Sequence, residues 1–231
     1  MNKDTIHSKR VIEAIIFDFD GTILDTESAG HEAWLQIFAE QNLEFPFELW
    51  MHNIGKVDTF LPENYLKEHI ETHHAAKYFR DQRESLKMEI IKDKQLFPGV
   101  VDRISEAKSL GLKLGVASSS SANWLNYHLP RIGLLYEFQA VRGSSDVGGK
   151  TKPDPAVFNY AGGGVGGQPQ NAIAFEDSEA GVTAAKEAGM YAVAIPNELT
   201  KLLSFDRADL IIDSLGNHTL IELIDQLGLT L

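Results

Sequence analysis

The sequence predicts an α/β protein: a parallel β-sheet covered by helices on both faces, with a second, all-helical unit inserted into it. Three observations predict this. Short apolar runs recur at 11–17, 112–117, 138–141, 172–175, 191–195 and 210–212. Most are apolar throughout rather than alternating, the pattern of strands buried on both faces. Helical patterns lie between several of them, and strand–helix alternation of this kind builds parallel sheets. Residues 27–95 break the rhythm, because they hold no convincing strand and are too long for an ordinary crossover.

Taken in order, the first strand opens the core and ends in the stretch FDFDGTILDTE at 17–27. Residues 27–41 then read as a helix with Ala29, Ala33, Ile37 and Phe38 on one side, and 63–74 and 75–94 as two more, the last densely charged. Pro98-Gly99 marks the return to the core. The expected division is therefore 1–26 and 96–231 for the core and 27–95 for the helical insert. Residues 100–110 carry apolar side chains at helical spacing and stop at Gly111, and the alanine-rich 179–188 stops at Gly189 in the same way. GGGVGG at 162–167 reads as a flexible linker, since it lacks the Lys-Ser/Thr ending of a phosphate loop and follows no strand.

Composition excludes several classes of function. A chain of 231 residues can bury a sizeable core and still carry an insert. The net charge of -12 argues against a broad nucleic-acid surface. The absence of cysteine excludes disulfides and thiolate metal sites and fits a reducing compartment. The polar start MNKDTIHSKR and the lack of any window near ~20 apolar residues argue against a signal peptide or membrane span. A cytoplasmic monomer with no nucleic-acid or membrane partner is expected.

In open parallel sheets, ligands bind beyond the carboxyl ends of the strands. Asp18, Asp20, Gly21 and Thr22 follow the first run, and Ser118, Ser119, Ser120 and Ser121 follow the second. Lys152, in KPDP, follows the third with a delay, and Glu176 and Asp177 follow the fourth. Carboxylates, hydroxyls and one lysine, with no histidine, suit a hard oxygen-ligated cation and an oxyanion rather than zinc. Strand alternation turns Asp18 and Asp20 to one side and Phe19 to the other, so both acids can address one ligand. The serine run also reads as a helix start that favours an anion. Pro153 restricts Lys152 to extended backbone, and Asp154-Pro155 read as N-cap and first helical residue, a frame that holds the lysine still. His73-His74 point apart on a helix and make no metal pair, and Trp34, Trp50 and Trp124 read as packing residues.

DFDGT, the strand-end Ser118, Lys152, and Glu176-Asp177 within FEDSEAGVTAAKEAGM together resemble the haloacid dehalogenase-like hydrolase superfamily. The four motifs stand in order across nearly the whole chain, and the insert lies where that superfamily carries an α-helical cap. The resemblance implies a Rossmann-like core and a Mg2+-dependent hydrolase. Asp18 resembles the nucleophile that forms an aspartyl-phosphate, and Asp20 the general acid and then base. Magnesium would take the Asp18 side chain, the Asp20 backbone carbonyl and Asp177, with Glu176 a further contributor. Gly21, Thr22, Ser118, Ser119 and Lys152 would hold the phosphate. Thr26-Glu27 and Phe97-Pro98 would be hinges, and Gly55 and Lys56 in HNIGKVDTF the cap's substrate contacts. The branch it most resembles holds small-metabolite phosphatases and β-phosphoglucomutases, so a small phosphorylated metabolite, a sugar phosphate in kind, is the expected substrate. Mutases of that branch carry a histidine in the first cap helix and an arginine in the cap loop. Here Gly30 takes the histidine's place, His31 stands one residue off, and the loop offers Lys56 and Asp58. A phosphatase is therefore expected over a mutase. A non-catalytic relative would be expected to lose Asp18, Asp20, Lys152 or Asp177, and none is lost.

Overall fold

The structure, a computed structural model, describes residues 10–51 and 60–231. In chain order its elements are β1 (Ala14–Phe17), α1 (Thr26–Glu40), α2 (Phe47–Met51), α3 (Pro62–His69), α4 (Ala76–Ile91), α5 (Val100–Ser109), β2 (Lys113–Ala117), α6 (Ala122–Arg131), β3 (Ala140–Arg142), α7 (Ala156–Gly164), β4 (Ala172–Glu176), α8 (Glu179–Glu187), β5 (Tyr191–Ala194), β6 (Leu210–Ile211) and α9 (Leu220–Gln226).

The strands form one six-stranded parallel sheet in the order β3-β2-β1-β4-β5-β6. The chain works outward from β1 to β3 on one side, then crosses back to β4 on the other. β1 is thus the topological switch point, where open sheets leave a crevice at their carboxyl ends. Alternation along β1 divides its side chains between two cores. Ile15 and Phe17 pack with Val100 and Ile104 of α5, Leu125 and Leu129 of α6, and Leu220 and Leu223 of α9. Ala14 and Ile16 pack with Phe158 and Ala161 of α7 and Val182 and Ala185 of α8. This two-faced burial is why the strand sequences are apolar throughout.

Helices α1 to α4 interrupt the sheet connections and share an apolar cluster of their own: Trp34, Ile37, Phe38, Phe45, Leu66 and Phe79. Asp25 caps α1 by accepting the Ser28 N–H at 3.2 Å. The two connections to the sheet run side by side, with Leu24 bridging Leu96 and the Phe97 N–H donating to Ile23 O at 3.1 Å. Among the described residues, no helix is long and apolar enough to cross a membrane.

Two local expectations are corrected. The helix expected over 63–74 ends at His69, with Ile70 already extended. Beyond it, the Thr72 hydroxyl accepts the His74 N–H, a local bond that competes with helix. GGGVGG is no linker, because Gly162, Gly163 and Gly164 complete α7. A Cβ on Gly164 would lie 2.9 Å from the Ala140 Cβ, so the missing side chains let α7 approach the sheet. The chain turns only afterwards, at Gly166, with φ of 75°. The short helix α2 was unforeseen, five residues being too few to show a period. Gly55 and Lys56 lie outside the described residues.

Phe38 is fully buried, with its ring 5.0 Å from Phe45 and 6.3 Å from Trp34. Phe38→Ala is expected to cost about 3–5 kcal/mol of unfolding free energy, measured by denaturant titration. A loss under about 1 kcal/mol would show that this cluster does not stabilise the insert.

Candidate active site

β1 delivers Asp18 to the crevice. Its N–H still pairs with Phe175 O at 2.9 Å, so the backbone is fixed by the sheet while the side chain leaves it. Asp18 is buried, and so are Lys152, Glu176 and Asp177. Lys152 reaches across from beyond β3. Its backbone N–H donates to Ser119 Oγ at 3.1 Å, and its ammonium donates to both Asp18 Oδ1 and Glu176 Oε1. Asp154 Oδ1 accepts the Ala156 N–H, so the expected cap is present, while α7 begins one residue after Pro155. Asp177 Oδ2 accepts Asn197 Nδ2 at 2.8 Å, and the same amide reaches Gly21 O at 3.3 Å.

Burial sets the charge behaviour of this group. It raises the Asp18 carboxyl well above the usual carboxylate range. Lys152 pulls the other way, and Glu176 and Asp20 push further up. Asp177 is raised in the same way, by burial and then by Asp18 and Glu176. For Lys152 burial acts downward, but the two carboxylates outweigh it and hold the ammonium above its ordinary value, hence charged. Asp18, Glu176 and Asp177 each bring an oxygen within 4.8 Å of the others. Asp18 Oδ2 is buried with no hydrogen-bond partner. Three clustered acids with one orphaned oxygen fit a hard divalent cation.

Asp20 is held differently. Its Oδ1 accepts Thr26 Oγ1 at 2.7 Å and Trp124 Nε1 at 2.9 Å. Its Oδ2 accepts Ser120 Oγ at 2.7 Å and Ser118 Oγ at 3.1 Å. Ser121 caps α6, whose N-terminus therefore starts at the same strand end as this group.

A cavity of about 380 Å³ opens over these residues, lined by Asp18, Asp20, Ser118, Ser119, Ser120, Lys152 and Asp177, with Glu27, Ser178 and Thr200 at its margins. Three expected site residues do not line it. Glu176 is fully buried behind Lys152, with Ser178 Oγ as its second donor at 3.1 Å. Gly21 and Thr22 line a separate cavity of about 280 Å³, and Thr22 Oγ1 has no hydrogen-bond partner. Gly21 is required all the same, with φ of 88° and a Cβ that would overlap the Asp177 carboxylate. Ser120, one of the strand-end serines but not among the expected phosphate ligands, joins this group, and Trp124 and Asn197 are polar partners that the sequence reading missed. Asn197 had a signal, since it follows the fifth apolar run. Trp124, expected to pack, also donates a hydrogen bond to Asp20.

Comparison with known proteins places the chain in a family. The family model described as haloacid dehalogenase-like hydrolase matches residues 15–195. A Bacillus subtilis (strain 168) protein named "Putative phosphatase YhcW" is 39% identical over 221 residues, 94% of this chain and 99% of that protein. The "Beta-phosphoglucomutase" of the same organism is 32% identical over 196 residues, 80% of this chain and 83% of that one. The crystal structure of CbbY from Rhodobacter sphaeroides in complex with phosphate superposes with a TM-score of 0.73 at 25% identity, spanning 92% of this chain and 99% of that one.

Two outcomes follow from this geometry. A Cβ on Gly181, in α8, would overlap the Glu176 carboxylate. Gly181→Ala is therefore expected to displace Glu176 from Lys152 and cost about 3–5 kcal/mol on denaturant unfolding, despite alanine's better helix propensity. His128, fully buried, has a pKa lowered to about 4 by burial first, then by Arg131 and Lys87, against Asp20. The unfolded imidazole takes up a proton near pH 6.5, well before the folded one, so acid draws this group toward unfolding. Between pH 7 and pH 5 the wild type is expected to lose roughly 2 kcal/mol relative to His128→Gln, measured by urea titration at each pH.

Proposed function

Because the chain belongs to the haloacid dehalogenase-like hydrolases, we propose that it is a magnesium-dependent phosphatase of a small phosphorylated metabolite, a sugar phosphate in kind, acting through an aspartyl-phosphate on Asp18. The observation that carries this reading is the state of Asp18. One carboxylate oxygen is fixed by Lys152, and the other is buried with no hydrogen-bond partner. A weak nucleophile is thus oriented, with an oxygen left for bonding.

In this reading an Asp18 oxygen attacks phosphorus, and the bond from phosphorus to the ester oxygen breaks. Asp20 gives its proton to the departing oxygen. Water then attacks the phosphorus of the aspartyl-phosphate, Asp20 takes the proton, and Asp18 is regenerated. Ser118 and Ser119, with the N–H groups at the start of α6, hold phosphoryl oxygens, and Lys152 steadies Asp18 and the developing charge. The Asp18 and Asp177 carboxylates and the Asp20 backbone carbonyl would hold Mg2+, which when bound neutralises phosphate charge at the nucleophile. We assign Glu176, sealed behind Lys152, as the anchor of that lysine. Residues 27–95 act as a cap hinged at Thr26-Glu27 and Phe97-Pro98, with Gly55 and Lys56 as its substrate contacts.

The insert favours phosphatase over mutase. Gly30 carries no side chain, and the guanidinium of Arg83 lies against it. His31 is stacked on Trp50 at 4.9 Å, inside the insert's aromatic group. No histidine therefore occupies the position at which mutases of this branch carry one.

With Mg2+ present, the protein is expected to release phosphate from 4-nitrophenyl phosphate and from members of a sugar-phosphate panel. Asp18→Asn should lower the rate by roughly three orders of magnitude or more, and EDTA should remove activity that added Mg2+ restores. Interconversion of hexose 1-phosphate and 6-phosphate faster than phosphate release would identify a mutase instead.

A further inference from the structure

The proposed proton carrier is held by an indole. Trp124, in the first turn of α6, donates its Nε1–H to Asp20 Oδ1 at 2.9 Å. The hydroxyls of Thr26, Ser118 and Ser120 can rotate and reverse their bonds, whereas an indole N–H only donates. Of the four partners of Asp20, Trp124 alone fixes an acceptor oxygen by chemistry as well as by position.

The ring is itself held from two elements. His128, one turn later on α6, has its ring centroid 4.1 Å from that of Trp124. Lys87, from α4 of the insert, places its Nζ 4.8 Å from the ring centroid. Lys87 is 8% exposed and forms no salt bridge among the described residues. A buried ammonium without a carboxylate is costly, and an aromatic face offsets part of that cost. Lys87 belongs to the insert and Trp124 to the sheet unit, so this contact exists only while the two lie against each other.

We propose that Trp124 is the positioning residue for proton transfer by Asp20, and that Lys87 clamps it from the insert, so that the proton donor is aimed only when the insert is seated. The proposal rests on the phosphatase reading. Its consequence depends on the leaving group. An alkoxide leaves phosphorus only as it receives a proton, whereas 4-nitrophenolate leaves as the anion. A loss of aim therefore slows the first chemical step on an alkyl phosphate and spares it on the aryl ester. A packing defect slows both.

Trp124→Phe keeps the ring and removes the N–H, and Lys87→Met keeps the stem and removes the charge. First-turnover rates are measured for both, and for wild type, with 4-nitrophenyl phosphate and with a hexose phosphate. Trp124→Phe is expected to slow the hexose phosphate by roughly tenfold or more, part of the contribution of general acid catalysis, and the nitrophenolate burst by less than about threefold. Lys87→Met should show the same asymmetry, more weakly. Equal losses on both esters, or none on either, would overturn the proposal for Trp124, and a symmetric or absent effect of Lys87→Met would overturn the clamp. If the wild type releases phosphate from neither ester, the phosphatase reading fails and the catalytic role falls with it. The contact itself is read separately by NMR. The indole N–H resonance that disappears in Trp124→Phe should move upfield in Asp20→Asn, and an unmoved resonance would refute the bond.

Discussion

Lys152 sits between Asp18 and Glu176 almost out of contact with water, and the cost of holding it there explains features that otherwise look unrelated. A buried charge is tolerable only when paired and fully hydrogen-bonded, and removing one partner leaves the other stranded. Glu176 therefore receives a second donor, Ser178 Oγ, and α8 starts with a glycine one turn in, where a side chain would strike the carboxylate. The lysine's own backbone is pinned to Ser119, at the end of β2, so the chain from edge strand β3 is fastened over the middle of the sheet before the side chain turns inward. With Asp177 added, three carboxylates face one ammonium. Such an excess of carboxylate oxygens over cationic partners is the donor set that suits a hard divalent cation.

The sheet order makes such convergence possible. β1 lies between β2 and β4, so Asp18, Ser118 and Glu176-Asp177 end side by side although far apart in the chain. β5 adds Asn197, which turns one amide toward both Asp177 and the Gly21 carbonyl, while its own Oδ1 accepts the Leu199 N–H at 2.9 Å. Asp177 is thereby oriented by a side chain whose conformation is set by its own loop. The glycine after Asp20 belongs to the same arrangement. Its left-handed backbone and missing Cβ let the first motif turn against the last one.

The core strands were legible because burial on both faces writes continuous apolar runs, and the acidic strand ends were legible because desolvating a carboxylate is costly unless something compensates it. The sequence did not reveal on which side of its strand end a residue emerges. Glu176 and Asp177 are adjacent, and alternation sends one behind Lys152 and the other to the cavity. Thr22 was grouped with the phosphate ligands by proximity to Asp20, yet the turn at Gly21 carries it to a different cavity. The glycine run misled for another reason. A flexible glycine run without a phosphate-loop ending reads as a linker, and close packing of α7 on the sheet outweighs its low helix propensity. Trp124 was read correctly as a packing residue, but a partly buried indole also needs an acceptor, and that acceptor lies in a motif far away in sequence.

The insert contributes through an absence. At Gly30 any side chain would have to expel the guanidinium of Arg83, whose Nε is buried and has no partner, while Nη1 pairs with Glu84. One turn before Gly30, Glu27 lines the cavity over the acidic cluster. Arg83 and Lys87 stand four residues apart on α4 and so share one stripe of that helix. Both are largely withdrawn from water, and Lys87 reaches the ring that holds Asp20. In the sheet unit, Asp18, Glu176 and Asp177 cluster around one ammonium, that of Lys152. α4 thus brings one ammonium, Lys87, to the ring that bonds Asp20, and charge interactions are least screened where water is excluded. Contact between the insert and the sheet unit therefore runs through α4 and the Trp124 ring as well as through the paired connections at Leu24 and Leu96.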